Sequence, residues 1–113
     1  MPILRVRGEL DLATAPRVCR AIATAAAAAL PPAVVIDLEN LEFCDSTGLR
    51  ALLGAVREVQ ALGGTAVLVV APDGAVDRLL SLCGLREFLH VERSPAAALC
   101  RLTDGRRAPA PMM

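Results

Sequence analysis

The residues best suited to chemistry form one short polar segment, Asp45-Ser46-Thr47-Gly48, which lies between two apolar stretches. Its hydroxyl and carboxylate groups could cap a helix or supply a nucleophile that attacks an ester. Local chemistry favours capping, because oxygens of Asp, Ser and Thr accept the free N–H groups of a first helical turn. Capping leaves Gly48 unexplained, since glycine inside a helix costs up to ~1 kcal/mol relative to alanine. We therefore expect a close approach to the backbone at Gly48.

An enzymatic role for Ser46 lacks the partner residues that such chemistry needs. The segment contains no Gly-x-Ser-x-Gly turn, and the only histidine, His90, lies on the last predicted strand. The chain contains no lysine, which excludes amine bases and Schiff-base chemistry. The cysteines show no metal-site spacing and are interpreted as small buried hydrophobic residues: Cys19, Cys44, Cys83 and Cys100. We predict no catalytic residue, no metal and no cofactor.

Composition narrows the range of partners. The 113 residues are 55% hydrophobic, which predicts one folded domain rather than a disordered chain. Twelve basic and twelve acidic residues cancel, so the chain has no bulk attraction to nucleic acid or to anionic lipid. Phe43 and Phe88 are the only aromatic residues, too few for a stacking platform. With no apolar stretch long enough for membrane insertion, the chain is predicted to be cytoplasmic.

Four apolar runs rich in branched residues predict β-strands, and a helical pattern follows each run. The runs are residues 3–8, 34–38, 66–70 and 88–92, and the first three begin about 31 residues apart, close to the length of a βαβ unit. The two central runs are almost continuously apolar, as in the interior of a parallel sheet. The sequence therefore predicts an α/β fold with a mainly parallel sheet in the order βαβαβαβα.

Capping residues and helix breakers predict where the four helices begin and end. The pairs of limits are Thr14 and Pro31, Asp45 and Gly63, Asp73 and Gly84, and Ser94 and Leu102. Residues 1–102 form the predicted domain, and residues 103–113 are expected to be a flexible tail. Because parallel strands place their following turns at the same edge of a sheet, Asp11 and Asp45 are both expected near Ser46.

These landmarks resemble the STAS domain, and within it the anti-sigma factor antagonist branch. The resemblance extends from Ile3 to Leu102 and rests on segments that match in order and spacing. They are residues 8–11 (GELD), 35–38 (VIDL), 41–43 (LEF), 45–49 (DSTGL), 63–64 (GG) and 82–85 (LCGL). The resemblance implies a STAS-like fold in which the first strand of the family is missing, because this chain starts too late to contain it.

The resemblance also implies a partner switch that regulates transcription. Members of this branch bind an anti-sigma factor that is also a serine kinase, and this binding frees the sigma factor. The kinase phosphorylates the first hydroxyl after the loop aspartate, which is Ser46 here, and a PP2C-type phosphatase removes the phosphate. The implied protein is a regulator rather than an enzyme.

Roles for the neighbouring residues follow as hypotheses. The expected partner-binding residues are Asp11, Asp45, Thr47, Gly48, Leu49 and Arg50. The carboxylates would position the Ser46 hydroxyl or make polar contacts, and Asp11 is equally well explained as a turn residue. Gly48 would let the kinase approach the backbone, while Leu49 is also suited to the core. Arg57 is a further candidate for the rim of the contact.

A phosphate on Ser46 is expected to affect binding more than folding. It adds about −1.5 to −2 charges at a helix N-terminus, where the helix dipole stabilises an anion by roughly 0.3–1 kcal/mol. A docked partner would have to desolvate that phosphate beside Asp45. A loss of ~2.8 kcal/mol is already a hundredfold loss of affinity.

Other interpretations stay open from the sequence. A STAS-type domain can also be an accessory or scaffold subunit of a lipid transport or stress-sensing complex. A plain βα domain would use residues 45–47 only to cap a helix. Finally, the missing first strand leaves two alternatives: either the true start of the chain lies upstream, or one sheet edge is open. An open edge predicts a homodimer through the edge of the strand at residues 3–8.

Overall fold

The computed structural model describes residues 3–86 and 89–107, with side chains for all of these except residues 104–107. Within these ranges, strands and helices alternate along most of the chain. In order they are β1 (Ile3–Arg5), β2 (Gly8–Leu10), α1 (Ala15–Ala27), β3 (Ala33–Asp37), β4 (Leu41–Cys44), α2 (Ser46–Ala61), β5 (Thr65–Val69), α3 (Ala75–Cys83), β6 (His90–Glu92) and α4 (Pro95–Arg107). None of the helices in this part of the chain is long and apolar enough to cross a membrane.

The main sheet has four parallel strands in the order β1-β3-β5-β6. The two almost continuously apolar strands, β3 and β5, are central, and the two alternating strands are at the edges. This arrangement confirms the predicted α/β class and the predicted division into central and edge strands. It follows from burial, because only the central strands are covered on both faces.

Alternate residues of β3 and β5 build two separate cores, since successive side chains of a strand point to opposite faces. Val34 and Ile36 belong to the larger core, which α1, α2 and α3 cover. Val35 and Val67 belong to a smaller core on the other face, where α4 contributes Ala98 and Leu102. All four valine and isoleucine side chains have no measurable exposure.

The prediction of one strand over residues 3–8 is wrong, because the run divides into two strands. β1 stays in the main sheet, and Val6 still donates its N–H to the Asp37 carbonyl at 3.0 Å. Gly8 then adopts a φ of +80°, which redirects the chain. β2 leaves the main sheet and pairs in parallel with β4, a strand in a segment that the sequence pattern predicted to be a loop.

Two predicted helix limits also need correction. Gly74, not Asp73, is the N-cap of α3; Asp73 has a φ of 61° and donates its backbone N–H to Asp77 Oδ2 at 2.8 Å. α4 continues to Arg107, past the predicted end at Leu102, because no proline interrupts it there. β6 begins at His90, while Phe88 of the predicted strand lies outside the described residues.

The interpretation of all four cysteines as buried is wrong for Cys83 and Cys100, which are exposed. Cys83 ends α3, and Cys100 lies two residues from the buried Ala98, on the opposite face of α4. Cys19 and Cys44 are partly buried, and burial raises the pKa of the Cys19 thiol.

Candidate functional site

The small β2–β4 sheet brings the two predicted polar turns together. Leu10 pairs with Cys44, so Asp11 and Asp45 are the next residues of two adjacent parallel strands. The Asp45 N–H donates to the Leu10 carbonyl at 3.3 Å, which extends this pairing by one residue. The predicted closeness of the two turns is therefore confirmed, and it depends on β4.

Asp45 starts α2 as its N-cap. Its backbone is extended (φ −102°, ψ 177°), and its Oδ1 accepts the Gly48 N–H at 2.7 Å. Its carbonyl accepts the Leu49 N–H at 2.9 Å. The capping interpretation is thus correct for Asp45, whose side chain satisfies a free N–H group of the first turn.

Ser46 and Thr47 occupy the first two helical positions. Ser46 and Thr47 are both exposed, and neither hydroxyl makes a hydrogen bond with any described residue. Because Asp45 already caps the helix, these two hydroxyls are not needed to hold the turn. The exposed Ser46 therefore presents a hydroxyl oxygen that a second macromolecule can reach.

The Asp11 carboxylate accepts hydrogen bonds within its own turn. Its Oδ1 accepts the N–H groups of Ala13 and Thr14, both at 3.0 Å. Thr14 occupies the N-cap of α1, yet its hydroxyl donates to the Glu9 carbonyl at 2.9 Å instead of capping the helix. These contacts are those of a turn residue, and no hydrogen bond joins either carboxylate of the site to Ser46 within the described chain.

Gly48 is buried against β2, which explains why this position has no side chain. A Cβ atom at residue 48 would lie 2.2 Å from the Leu10 carbonyl oxygen and 3.0 Å from the Asp11 nitrogen. The close approach expected from the sequence exists, but it comes from the chain's own backbone. Leu49 is 2% exposed and belongs to the larger core.

Three further side chains of α2 and β4 bear on the chemistry of the site. Arg50 is exposed one turn after Ser46, and Arg57 is exposed two turns farther on. Burial raises the pKa of the Cys44 thiol to about 11, with a smaller contribution from the Asp45 carboxylate. The thiol next to the site is therefore neutral at physiological pH and is a poor nucleophile.

Comparison with known proteins decides the family. A family model described as the STAS domain matches residues 1–98. The chain belongs to the STAS domain family. It is 35% identical over 101 residues to an anti-sigma F factor antagonist of Paenibacillus polymyxa, covering 88% of this chain and 85% of that protein.

Solved structures agree with this STAS assignment. An anti-sigma factor antagonist from Mycobacterium paratuberculosis is 31% identical with a TM-score of 0.77, covering 90% of this chain and 85% of that one. The Bacillus protein SpoIIAA in its phosphorylated form is 26% identical with a TM-score of 0.62, covering 88% of this chain and 87% of that one. The relatives place this STAS domain among anti-sigma factor antagonists, which are regulatory binding proteins and not enzymes.

The histidine considered for an enzymatic role lies elsewhere in this STAS domain. His90 is on β6, at the edge of the main sheet opposite β1, whereas Ser46 follows the separate β2–β4 sheet. Its Nδ1 contacts an Arg101 guanidinium nitrogen at 3.0 Å. Within the described ranges, no group of three or more His, Cys, Asp or Glu residues could hold a metal ion.

Two features of the structure were not predicted from the sequence. The strand β4 positions Asp45, and its signal was the short alternation of Leu41, Glu42 and Phe43. Asp37 ends β3 with 3% exposure; its carboxylate accepts the Glu39 N–H at 3.0 Å and lies 3.7 Å from Arg5. The sequence signal for this ion pair is Asp37 itself, a charged residue that follows the apolar residues 33–36.

Proposed function

We propose that this STAS domain binds an anti-sigma factor serine kinase while Ser46 carries a free hydroxyl, and that phosphorylation of Ser46 releases it. Binding of this domain frees the sigma factor held by that kinase, and release of the domain lets the kinase capture the sigma factor again. This exchange regulates transcription. The observation that carries the proposal is the accessible Ser46 hydroxyl, which has no hydrogen-bond partner among the described residues.

The first turn of α2 separates the phosphoacceptor from the residues that hold the fold. Asp45 caps the turn and Gly48 packs on β2, so neither duty falls on Ser46. A kinase must reach the hydroxyl oxygen, and a hydroxyl with no structural hydrogen bond can enter a catalytic cleft without local unfolding. Modification at this position can therefore change the surface and spare the core.

Charge at this position acts in opposite directions on the free protein and on the complex. A phosphate on Ser46 would lie at the N-terminus of α2, where an anion gains roughly 0.3–1 kcal/mol. Arg50 lies four residues later, the spacing at which an acidic group followed by a basic one interacts favourably on a helix. Binding would remove this phosphate from water beside Asp45, which penalises the complex.

The relatives support this proposal. One solved relative, SpoIIAA, is described in its phosphorylated form, and the curated relatives are named as antagonists of anti-sigma factors. Those names favour an antagonist over an accessory subunit of a transport or stress-sensing complex. The proposed cycle also requires a PP2C-type phosphatase to restore the hydroxyl, and it takes place in the cytoplasm, where sigma factors act.

The test compares binding of the purified protein and its variants to the anti-sigma factor kinases of the source organism by calorimetry. We expect Ser46→Asp to bind at least about a hundredfold more weakly, a loss of ~2.8 kcal/mol, because its charge must be desolvated. Ser46→Ala should bind but accept no phosphate, and mass spectrometry should locate the phosphate of the wild type on Ser46 rather than Thr47.

Ser81→Asp is the matched control, because Ser81 is an exposed serine on α3 and the variant adds the same charge elsewhere. It should bind like the wild type. A kinase that bound Ser46→Asp and the wild type equally would contradict the proposal. Unchanged melting temperatures would show that none of these variants acts through unfolding.

The edge of β1 supports a second proposal, a homodimer. In the described part of the chain β1 pairs only with β3, so the other side of residues 3–5 has unpaired backbone groups. Size-exclusion chromatography with light scattering should give twice the monomer mass. Arg5→Pro should restore the monomer, because the Arg5 N–H points to the open edge and proline removes it. A monomeric wild type at high concentration would exclude this dimer.

A further inference from the structure

Two large apolar side chains are exposed near the Ser46 turn. Over the described residues, the strongly exposed large hydrophobic side chains are Leu12, Leu30, Phe43, Leu62 and Leu82. Leu12 is 74% exposed in the turn after β2, and Phe43 is 48% exposed on β4. Single exposed hydrophobic residues are common, whereas two that adjoin one candidate interface indicate a contact surface.

Both side chains lie within the area that a docked kinase must cover. Phe43 precedes Ser46 by three residues, which limits their Cα separation to about 11 Å. A Cβ at residue 48 would lie 3.0 Å from the Asp11 nitrogen, which places the Leu12 Cα within about 15 Å of the Ser46 Cα. An interface of ordinary size covers about 800 Å² on each partner, which corresponds to a disc of about 16 Å radius.

The two carboxylates of the site are already hydrogen-bonded within the chain. The carboxylate of Asp45 is bonded to Gly48, and that of Asp11 is bonded to Ala13 and Thr14. The side chains at positions 46 and 47 are small. Because binding energy concentrates in a few large side chains that become fully desolvated, the apolar residues of this surface are the better anchors.

The strand β4 shows how Phe43 comes to be exposed. Its pairing with β2 shifts register, because Gly8 pairs with Leu41 whereas the next residue, Glu9, pairs with Phe43. Such a bulge gives β4 one extra residue and interrupts the regular alternation of side chains between the two faces. Leu41 is 8% exposed and belongs to the larger core, whereas Phe43 is turned outward together with the exposed Glu9. The bulge therefore places an aromatic side chain on the surface just before Asp45.

We infer that Leu12 and Phe43 are the apolar anchors of the antagonist, and that they insert into apolar pockets beside the catalytic cleft of the anti-sigma factor kinase. This inference rests on the proposed function. It divides the interface into two parts. Leu12 and Phe43 supply affinity whether or not Ser46 is phosphorylated, and a phosphate on Ser46 weakens binding.

The experiment measures binding of Leu12→Ala and Phe43→Ala to the same purified anti-sigma factor kinase that binds the wild type. We expect each to bind about tenfold to thirtyfold more weakly, the range of a moderate anchor residue. The kcat/KM for phosphorylation of Ser46 should fall by the same factor with kcat unchanged, because the anchors act equally on the ground state and the transition state.

Leu62→Ala is the matched control. Leu62 is 72% exposed, almost the same as Leu12, and it follows the last residue of α2, about 24 Å along the helix from Ser46. It should bind and be phosphorylated like the wild type. Thermal melting checks folding, and Phe43→Leu replaces Phe43→Ala if the larger truncation lowers the melting temperature.

The outcomes separate this inference from the function on which it rests. Suppose that Ser46→Asp loses binding while the affinities of Leu12→Ala and Phe43→Ala for the kinase stay within twofold of the wild-type affinity. The assignment of Leu12 and Phe43 as anchors is then wrong, and the proposed phosphorylation switch is retained. An equal loss in Leu62→Ala would also overturn the anchors, since the effect would not depend on position. If the wild type binds no anti-sigma factor kinase, the switch and the anchors both fail.

Discussion

The first turns of α2 and α3 satisfy their free N–H groups in different ways. In α2 the acidic residue precedes the helix, and the Asp45 side chain accepts the Gly48 N–H. In α3 the N-cap is Gly74, which has no side chain to accept a bond, and the acidic residue Asp77 lies inside the first turn. Asp77 bonds back to the Asp73 N–H and pairs with Arg86.

This difference decides which helix can present a hydroxyl to a partner. The cap in α2 lies outside the helix, so the next two positions hold hydroxyls without a structural hydrogen bond, Ser46 and Thr47. The start of α3 already contains a carboxylate that neutralises the helix dipole. A phosphoacceptor therefore fits the start of α2, where the positive end of the dipole is accessible.

The two helices also differ in how tightly their starts are held, and Gly48 gives the largest expected effect. Gly48→Ala would place a Cβ 2.2 Å from the Leu10 carbonyl oxygen, so α2 or β2 must move. We expect a loss of about 3 kcal/mol in the free energy of unfolding, at the upper end for overpacking. Urea unfolding measures it.

Gly54→Ala is the control in the same helix, because a Cβ atom at residue 54 would meet nothing within 4 Å. It should raise the free energy of unfolding by about 0.5–1 kcal/mol, since alanine is the better helix former. If Gly48→Ala is as stable as the wild type, the packing of α2 on β2 does not hold the site.

The smallest effect is expected at the other helix start. The Asp73 N–H, and after it the Arg86 guanidinium, lower the pKa of the Asp77 carboxyl below its ordinary value of 3.8. As the pH falls, the unfolded chain therefore binds a proton before the folded chain does. The stabilisation by Asp77 is present above about pH 4 and is lost as the pH falls through the folded pKa.

Urea unfolding of the wild type and Asp77→Asn at several pH values tests this sign. At pH 7 the wild type should be more stable by less than about 1 kcal/mol, as for an exposed ion pair, and the difference should shrink toward pH 3. Glu42→Gln, which removes an exposed carboxylate from β4, controls for the change of charge. A difference that grows on acidification would contradict the assignment.

Much of the fold was predictable because its signals are local. Apolar runs identified β3 and β5, and the residues Asp45 and Gly84 marked the start of α2 and the end of α3. The same reasoning assigned the N-cap of α3 to Asp73 instead of Gly74. The sequence alone does not distinguish the two residues, because both residue types favour helix starts. The bond from the Asp73 N–H to Asp77 decides between them, and it forms only when the turn is folded.

The site was predictable in part. The sequence placed Asp11 and Asp45 together because parallel strands end at a common edge, and the structure confirms this through β2 and β4. It did not predict that β2 leaves the main sheet, since one positive φ at Gly8 makes that change. Phe43 was noted as an aromatic residue and as part of the segment 41–43, but its exposure was not predicted, because it depends on a bulge between two strands that are distant in sequence.

The sequence by itself determined the helices, the central strands and the identity of the polar turn, because these follow from residue type and spacing along the chain. Only the tertiary structure decided why residue 48 is glycine and which hydroxyls of the turn are free. The glycine depends on the approach of Leu10 and Asp11, which are distant in sequence, to the first turn of α2. The hydroxyls are free because Asp45, which follows the β4 strand paired with β2, caps that turn. Packing between distant segments sets such contacts, and no local pattern records them.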